Sequence, residues 1–183
     1  MARGGSPFLL KAKAIEGMKE EVYHHPLNPI SEVHIRSLGY AIDLQRVGFK
    51  LARVPKGKEP NITHAHHCEE AFFYILSGRG VAVIHGKCYS VGPGDFMAFP
   101  APSVPHILKN THEEDLIYLV GGERKRFEIA EFPTLSKMLF RDGETFSIAD
   151  QAALKKGAVR WAKRGTSPAK SAAEATRGRG KGR

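Results

Sequence analysis

The stretch THAHHCEEAFFYILSGRG, residues 63 to 80, decides how this chain is read. It places His64 and His66 one residue apart, follows them with Glu69 and Glu70, and then runs apolar until Gly78 and Gly80 close it. Side chains two apart on an extended strand leave the same face, roughly 6.5 to 7 Å apart at the backbone. The imidazoles of His64 and His66 can therefore converge on one ion, while His67 points the other way.

Working outward, residues 36 to 120 read as short apolar strands divided by turn signals, the pattern of an all-β sandwich or barrel. The strands expected are GYAIDLQ, GFKLARV, AFFYILS, GVAVIHG, KCYSV, DFMAFP, HILKN and LIYLVGG, separated by PKGKEPN, SGRG, HGK, GPGD and PAPSVP. Each break carries the Gly, Pro, Asn or Asp that tight turns demand. VAVIHGKCYSV reads as a hairpin turning at His85 and Gly86. No internal repeat is visible, and 183 residues hold one such barrel.

The flanks are plainer. Residues 8 to 22 suit an irregular strand or a short helix, and the prolines of HHPLNP hold residues 24 to 29 extended. The expected division is an N-terminal extension packed on the barrel (1–35), the barrel itself (36–150) and a tail (151–183), with an edge strand and a short helix after the last barrel strand.

The net charge of +9 belongs wholly to the tail. Residues 1 to 150 hold 18 Lys+Arg against 18 Asp+Glu, whereas residues 151 to 183 hold 10 basic residues against the single acid Glu174. That tail is nearly empty of large apolar groups, so it is expected to be disordered. Weak nucleic-acid binding through it is possible on charge but not favoured, because no aromatic residue interleaves the terminal basic run. The apolar runs fall far short of the roughly 20 residues of a bilayer span, and the start lacks a signal-peptide pattern. A cytoplasmic protein with Cys68 and Cys88 reduced is expected.

A third metal-ligand candidate is His106, which begins HILKN after the proline loop, and a fourth is a carboxylate of EEAFF. These residues carry a family resemblance. The cupin superfamily has a first motif G-x5-H-x-H-x3-4-E-x6-G and a second G-x5-P-x-G-x2-H-x3-N. GKEPNITHAHHCEEAFFYILSG, from Gly57 to Gly78, resembles the first, and GDFMAFPAPSVPHILKN, from Gly94 to Asn110, resembles the second. The resemblance spans about residues 45 to 120. It implies a double-stranded β-helix (jelly-roll) barrel, a homodimer, a small-molecule ligand or substrate, and a divalent metal (Mn, Fe, Ni, Cu or Zn) held by His64, His66, Glu70 and His106.

This chain departs from the pattern at one decisive place. Counting six residues back from Gly78 lands on Ala71, which leaves the glutamate position empty. Glu70 keeps the spacing from His66 but needs a bulge to face inward, because a one-residue slip reverses the face of a strand side chain. Gly57 also stands one residue too far from His64, and Pro102 replaces a motif glycine. Tyr74, Phe99 and Tyr118 are candidate pocket residues.

Two functions compete on this reading. One is a metal-dependent oxidoreductase, decarboxylase or isomerase; the other is a non-catalytic ligand-binding or sensor protein with a degenerate metal site. No Ser-His-Asp order, phosphate-cradling glycine loop or usefully spaced carboxylate pair points to other chemistry.

Overall fold

The computed structural model describes residues 8–155 and 157–158. The tail beyond them, with its expected disorder and nucleic-acid binding, lies outside the described residues. The chain runs through helix α1 (Ala12–Glu16), strands β1 (Glu21–Tyr23) and β2 (Val33–Arg36), helix α2 (Leu38–Ala41), and then strands β3 (Val47–Val54), β4 (Ala65–His66), β5 (Ala71–Ser77), β6 (Gly80–Ile84), β7 (Lys87–Val91), β8 (Phe96–Phe99), β9 (His106–Lys109) and β10 (Leu116–Glu123). Strands β11 (Phe127–Phe132), β12 (Lys137–Asp142) and β13 (Thr145–Asp150) follow. No helix among the described residues is long and apolar enough to cross a membrane.

Three antiparallel sheets build the jelly roll. A six-stranded sheet has the order β1-β2-β3-β10-β5-β8, a three-stranded sheet β7-β6-β9, and a four-stranded sheet β13-β12-β11-β4. Period-two alternation sets what each strand buries. In β3, Ala52 and Val54 turn inward, paired across the ladder with Tyr118 and Leu116 of β10, while Tyr118 also faces Ile75 of β5. With Val33, Ala82, Val91 and Leu108 they form the apolar core. Val33, Ala52, Ala82, Leu108 and Tyr118 of this core also line the cavity that the histidines reach.

The hairpin of β6 and β7 turns at His85 (φ 49°) and Gly86 (φ 76°), as VAVIHGKCYSV predicts. Two segments differ from the sequence reading. GYAIDLQ folds into α2 and a turn instead of a strand, with Leu38 and Gly39 buried against β3. The segment after β10 is a three-stranded meander, and its first strand pairs with β4 through Ala130↔His66 and Glu131↔Ala65. An alternating run such as FEIAEF looks like any edge strand in isolation; its pairing with the short β4 is a long-range contact that no local pattern announces.

The extension before β3 is tied down electrostatically. Glu20 receives Arg53 at 2.5 Å and Arg36 at 3.3 Å, and Arg53 holds its carboxyl below the usual range.

Candidate metal centre

His64 and His106 exchange backbone hydrogen bonds, His64 N to His106 O at 3.1 Å and His106 N to His64 O at 2.8 Å. Residues paired in this way project to the same face. His66, two residues along, is held by its N–H donating to Ser103 Oγ at 2.8 Å and its carbonyl accepting from Ser103 N at 2.7 Å. The result brings one ring nitrogen of each of His64, His66 and His106 within 4.8 Å of the other two.

The tautomers suit a cation. His64 Nδ1 is 2.7 Å from the Ile62 carbonyl and His106 Nδ1 is 2.9 Å from the Val104 carbonyl. A ring nitrogen facing a carbonyl must carry the proton, so the Nε2 lone pair is left free on each ring. His106 Nε2 is buried and has no partner. Phe99 stacks on the His106 ring at 3.7 Å and 6°, fixing its plane. Three neutral imidazoles, His64 and His106 so oriented and His66 beside them, fit a divalent transition metal, with water or substrate completing the coordination.

Burial keeps the imidazoles neutral. It pushes His64 down to about 3 and His106 down to about 4, and it lowers His66 and His25 as well. Each group titrates near 6.5 once unfolded, so from there down to the folded values the unfolded chain binds more protons. Stability contributed by these residues is complete above pH 6.5 and falls as pH drops. Chelator-treated protein is expected to show a lower urea midpoint at pH 5.0 than at pH 7.5, a window in which carboxylates stay ionised. An unchanged or higher midpoint at pH 5.0 would contradict this assignment.

The fourth candidate does not join the histidines. Strand β5 is regular from Ala71 to Ile75, pairing Ala71↔Gly122, Phe72↔Gly121 and Phe73↔Val120, and the ladder irregularity comes later, at Ile117 and Tyr118. Without a bulge at its start, Ala71 faces the cavity and Glu70 is exposed; Glu70 exchanges hydrogen bonds with Glu123 instead. The same alternation turns Tyr74 outward, 41% exposed and away from the cavity that Phe99 and Tyr118 line.

Two carboxylates that the motif does not contain stand behind His66. Glu69 is buried, accepting from Lys125 N at 2.6 Å and paired with Arg141. Glu128 of β11 is 4% exposed; its Oε1 accepts from His67 N at 3.0 Å and lies 3.6 Å from His66 Nδ1, while Oε2 is unpartnered. Glu69, Glu128 and His66 form a second group whose ligand atoms lie within 4.8 Å of one another. Glu69 was visible in EEAFF, but Glu128 is only one of several acids after β10 until β11 docks on β4.

The histidines floor a cavity of about 300 Å³ whose walls are mostly apolar, among them Phe73, Met97, Phe99 and Tyr118. A second cavity, about 360 Å³, adjoins it and shares Lys50, His66, Ala71 and Val120.

Comparison with known proteins places this arrangement. The model of the cupin domain matches residues 50–122. The chain is similar to a candidate sugar phosphate isomerase from Acidithiobacillus ferrooxidans, with 34% identity and a TM-score of 0.81 over 84% of this chain and 98% of that one. It is also similar to a sugar phosphate isomerase of a cupin superfamily from Silicibacter pomeroyi, with 26% identity and a TM-score of 0.70 over 82% and 97% of the two chains. An uncharacterised protein of Methanocaldococcus jannaschii shares 36% identity over 59 residues, 32% of this chain and 46% of that protein. The chain thus spans less than half the length of this curated relative.

Proposed function

This chain belongs to the cupin superfamily, and from that premise we propose that it is a metal-dependent isomerase of small phosphorylated sugars. The observation that carries the reading is the trio of converging imidazoles, two of them buried and tautomer-fixed, that lines an apolar cavity of about 300 Å³. The names borne by two similar solved structures support the substrate class. His64, His66 and His106 hold the ion. When bound, it supplies Lewis-acid polarisation of the substrate carbonyl.

The protein's own groups supply the rest. Aldose–ketose isomerisation moves one proton between adjacent carbons and one between their oxygens, and it consumes no co-reactant. Glu69 and Glu128 are the carboxylates beside the imidazoles, each with an oxygen within 4.8 Å of a His66 nitrogen; they stand behind His66 outside the cavity, and we assign to this pair the positioning and polarisation of that ring. The apolar walls exclude water from the reacting carbons and strengthen every charge interaction inside.

The test loads the full chain with Mn, Fe, Ni, Cu or Zn in turn, incubates it with a panel of aldose and ketose phosphates, and follows interconversion by NMR. Conversion that requires metal and disappears in His106→Gln is expected. A metal-loaded protein that converts no member of the panel overturns the reading. A second reading, a non-catalytic ligand-binding cupin, would then stand, and it draws on one specific observation: among the described residues no carboxylate lines the histidine cavity, and Ala71 occupies the motif's glutamate position.

A further inference from the structure

The inner face of the six-stranded sheet has a gap beside the histidines. Gly48 of β3, Gly122 of β10 and Ala71 of β5 lie side by side in one row, paired Gly48↔Gly122 and Gly122↔Ala71. Gly122 admits nothing larger, since a Cβ there would sit 2.6 Å from the Glu70 carbonyl oxygen. The next row inward is Lys50, Val120 and Phe73. The row of small residues leaves the histidine cavity and its neighbour side by side, with Lys50 lining both.

Lys50 is a cation in an unusual place. It has the inward phase of Ala52 and Val54, and burial together with nearby Arg124 lowers its ammonium below the ordinary range, with Glu21 a weaker opposing influence. The stem of Arg124 lies over Gly48, 3.6 Å from where a Cβ would be, and its guanidinium covers the Tyr40 ring at 4.4 Å while donating to the Tyr40 hydroxyl. No described carboxylate forms an ion pair with Lys50 or Arg124. The acids of the adjoining cavity are engaged elsewhere: Glu69 with Arg141 and Lys125 N, and Glu123 with Lys125 and Glu70 N, while Glu70 is exposed. Arg141 brings a further donor, its buried and unpartnered Nε.

We propose that Lys50 and Arg124 form an anion subsite in the second cavity that binds the phosphate monoester of a substrate whose other end reaches the three histidines past Ala71. A desolvated ammonium without a counter-ion is costly to hold, and a phosphate carrying about −1.5 to −2 charge offsets that cost through charge-assisted hydrogen bonds. A glutamate at position 71 would instead set a carboxylate between the two cavities, beside Lys50. The missing motif acid and the unpaired lysine are thus one feature: the ligand supplies the negative charge that the chain omits. The inference rests on the reading that the histidine cavity takes a small organic substrate.

The test is calorimetric titration of the full chain with inorganic phosphate and with sorbitol 6-phosphate, which has no carbonyl to isomerise. Both are expected to bind the parent, and sorbitol is not. Lys50→Met is expected to weaken both by at least about tenfold, the loss typical of removing one partner of a desolvated charge pair, without lowering the melting temperature, since it removes a half-buried charge with no ion-pair partner among the described residues. Ala71→Glu is expected to weaken both as well. A parent that binds neither probe at millimolar concentration, or a Lys50→Met variant that binds as the parent does, overturns the subsite. The two ideas fail separately. Lys50-dependent phosphate binding without isomerisation removes the proposed reaction and keeps the subsite, whereas isomerisation unaffected by Lys50→Met does the reverse.

Discussion

His106→Ala is expected to reduce affinity for a divalent transition metal by more than about a hundredfold, beyond the 10- to 100-fold loss typical when only a supporting residue is changed. Among the described residues the three imidazoles are the His, Cys, Asp or Glu side chains that line the cavity, so removing one leaves two nitrogens and water. The alanine variant also loses the Phe99 stack and the Val104 hydrogen bond, so a fall in metal content could reflect a loosened fold. His106→Gln resolves this, because it keeps most of the volume and a polar tip while lacking an imidazole nitrogen at the Nε2 position. Elemental analysis after dialysis against a weak chelator, with melting temperature measured in parallel, reads both quantities. A His106→Gln protein that melts normally and retains stoichiometric metal would remove His106 from the site.

A second large effect concerns folding alone. Gly78 has φ 76°, and a Cβ there would stand 2.2 Å from the Asp115 carbonyl oxygen and 3.0 Å from the backbone of Leu116. Gly78→Ala therefore combines left-handed strain of about 1 to 2 kcal/mol with a backbone clash that only a shift of β5 against β10 can relieve. A total of at least about 3 kcal/mol corresponds to a drop on the order of 10 °C for a chain of this size. Gly86 supplies the control. Its φ is also 76°, yet nothing lies within 4 Å of its absent Cβ, so Gly86→Ala carries the strain term without the clash. Differential scanning calorimetry of the two variants separates the contributions, and equal melting temperatures would refute the account of Gly78.

The barrel was legible because its turns announce themselves. Gly, Pro, Asn or Asp punctuates the strands from β3 to β10 except between β4 and β5, and the count back from Gly78 already put Ala71 on the inner face, where the structure has it. Glu70 tempted the reading through its spacing from His66, but spacing along the chain is subordinate to the phase of the strand it enters. Tyr74 misled for the same reason; it alternates with Phe73 and Ile75 and so faces outward. The helix α2 was hidden because GYAIDLQ is as apolar as a strand and only its first three residues, Gly39 to Ala41, are helical. Lys50 had a usable signal. In VGFKLARV it shares the phase of Ala52 and Val54, and a lysine on the buried phase of a strand asks for an anion. Glu128 had none, since its position beside His66 depends on the pairing of β11 with the two-residue β4.

That pairing bears on how the protein can diverge. The cupin domain match ends at residue 122, whereas Glu128 stands beyond it on a meander that touches the barrel through the very strand carrying His66. Drift in the meander can therefore retune the field at the imidazoles while every motif position stays fixed. Two descendants identical from residue 50 to 122 could differ in chemistry, and an engineer could graft terminal strands to alter reactivity without touching the barrel.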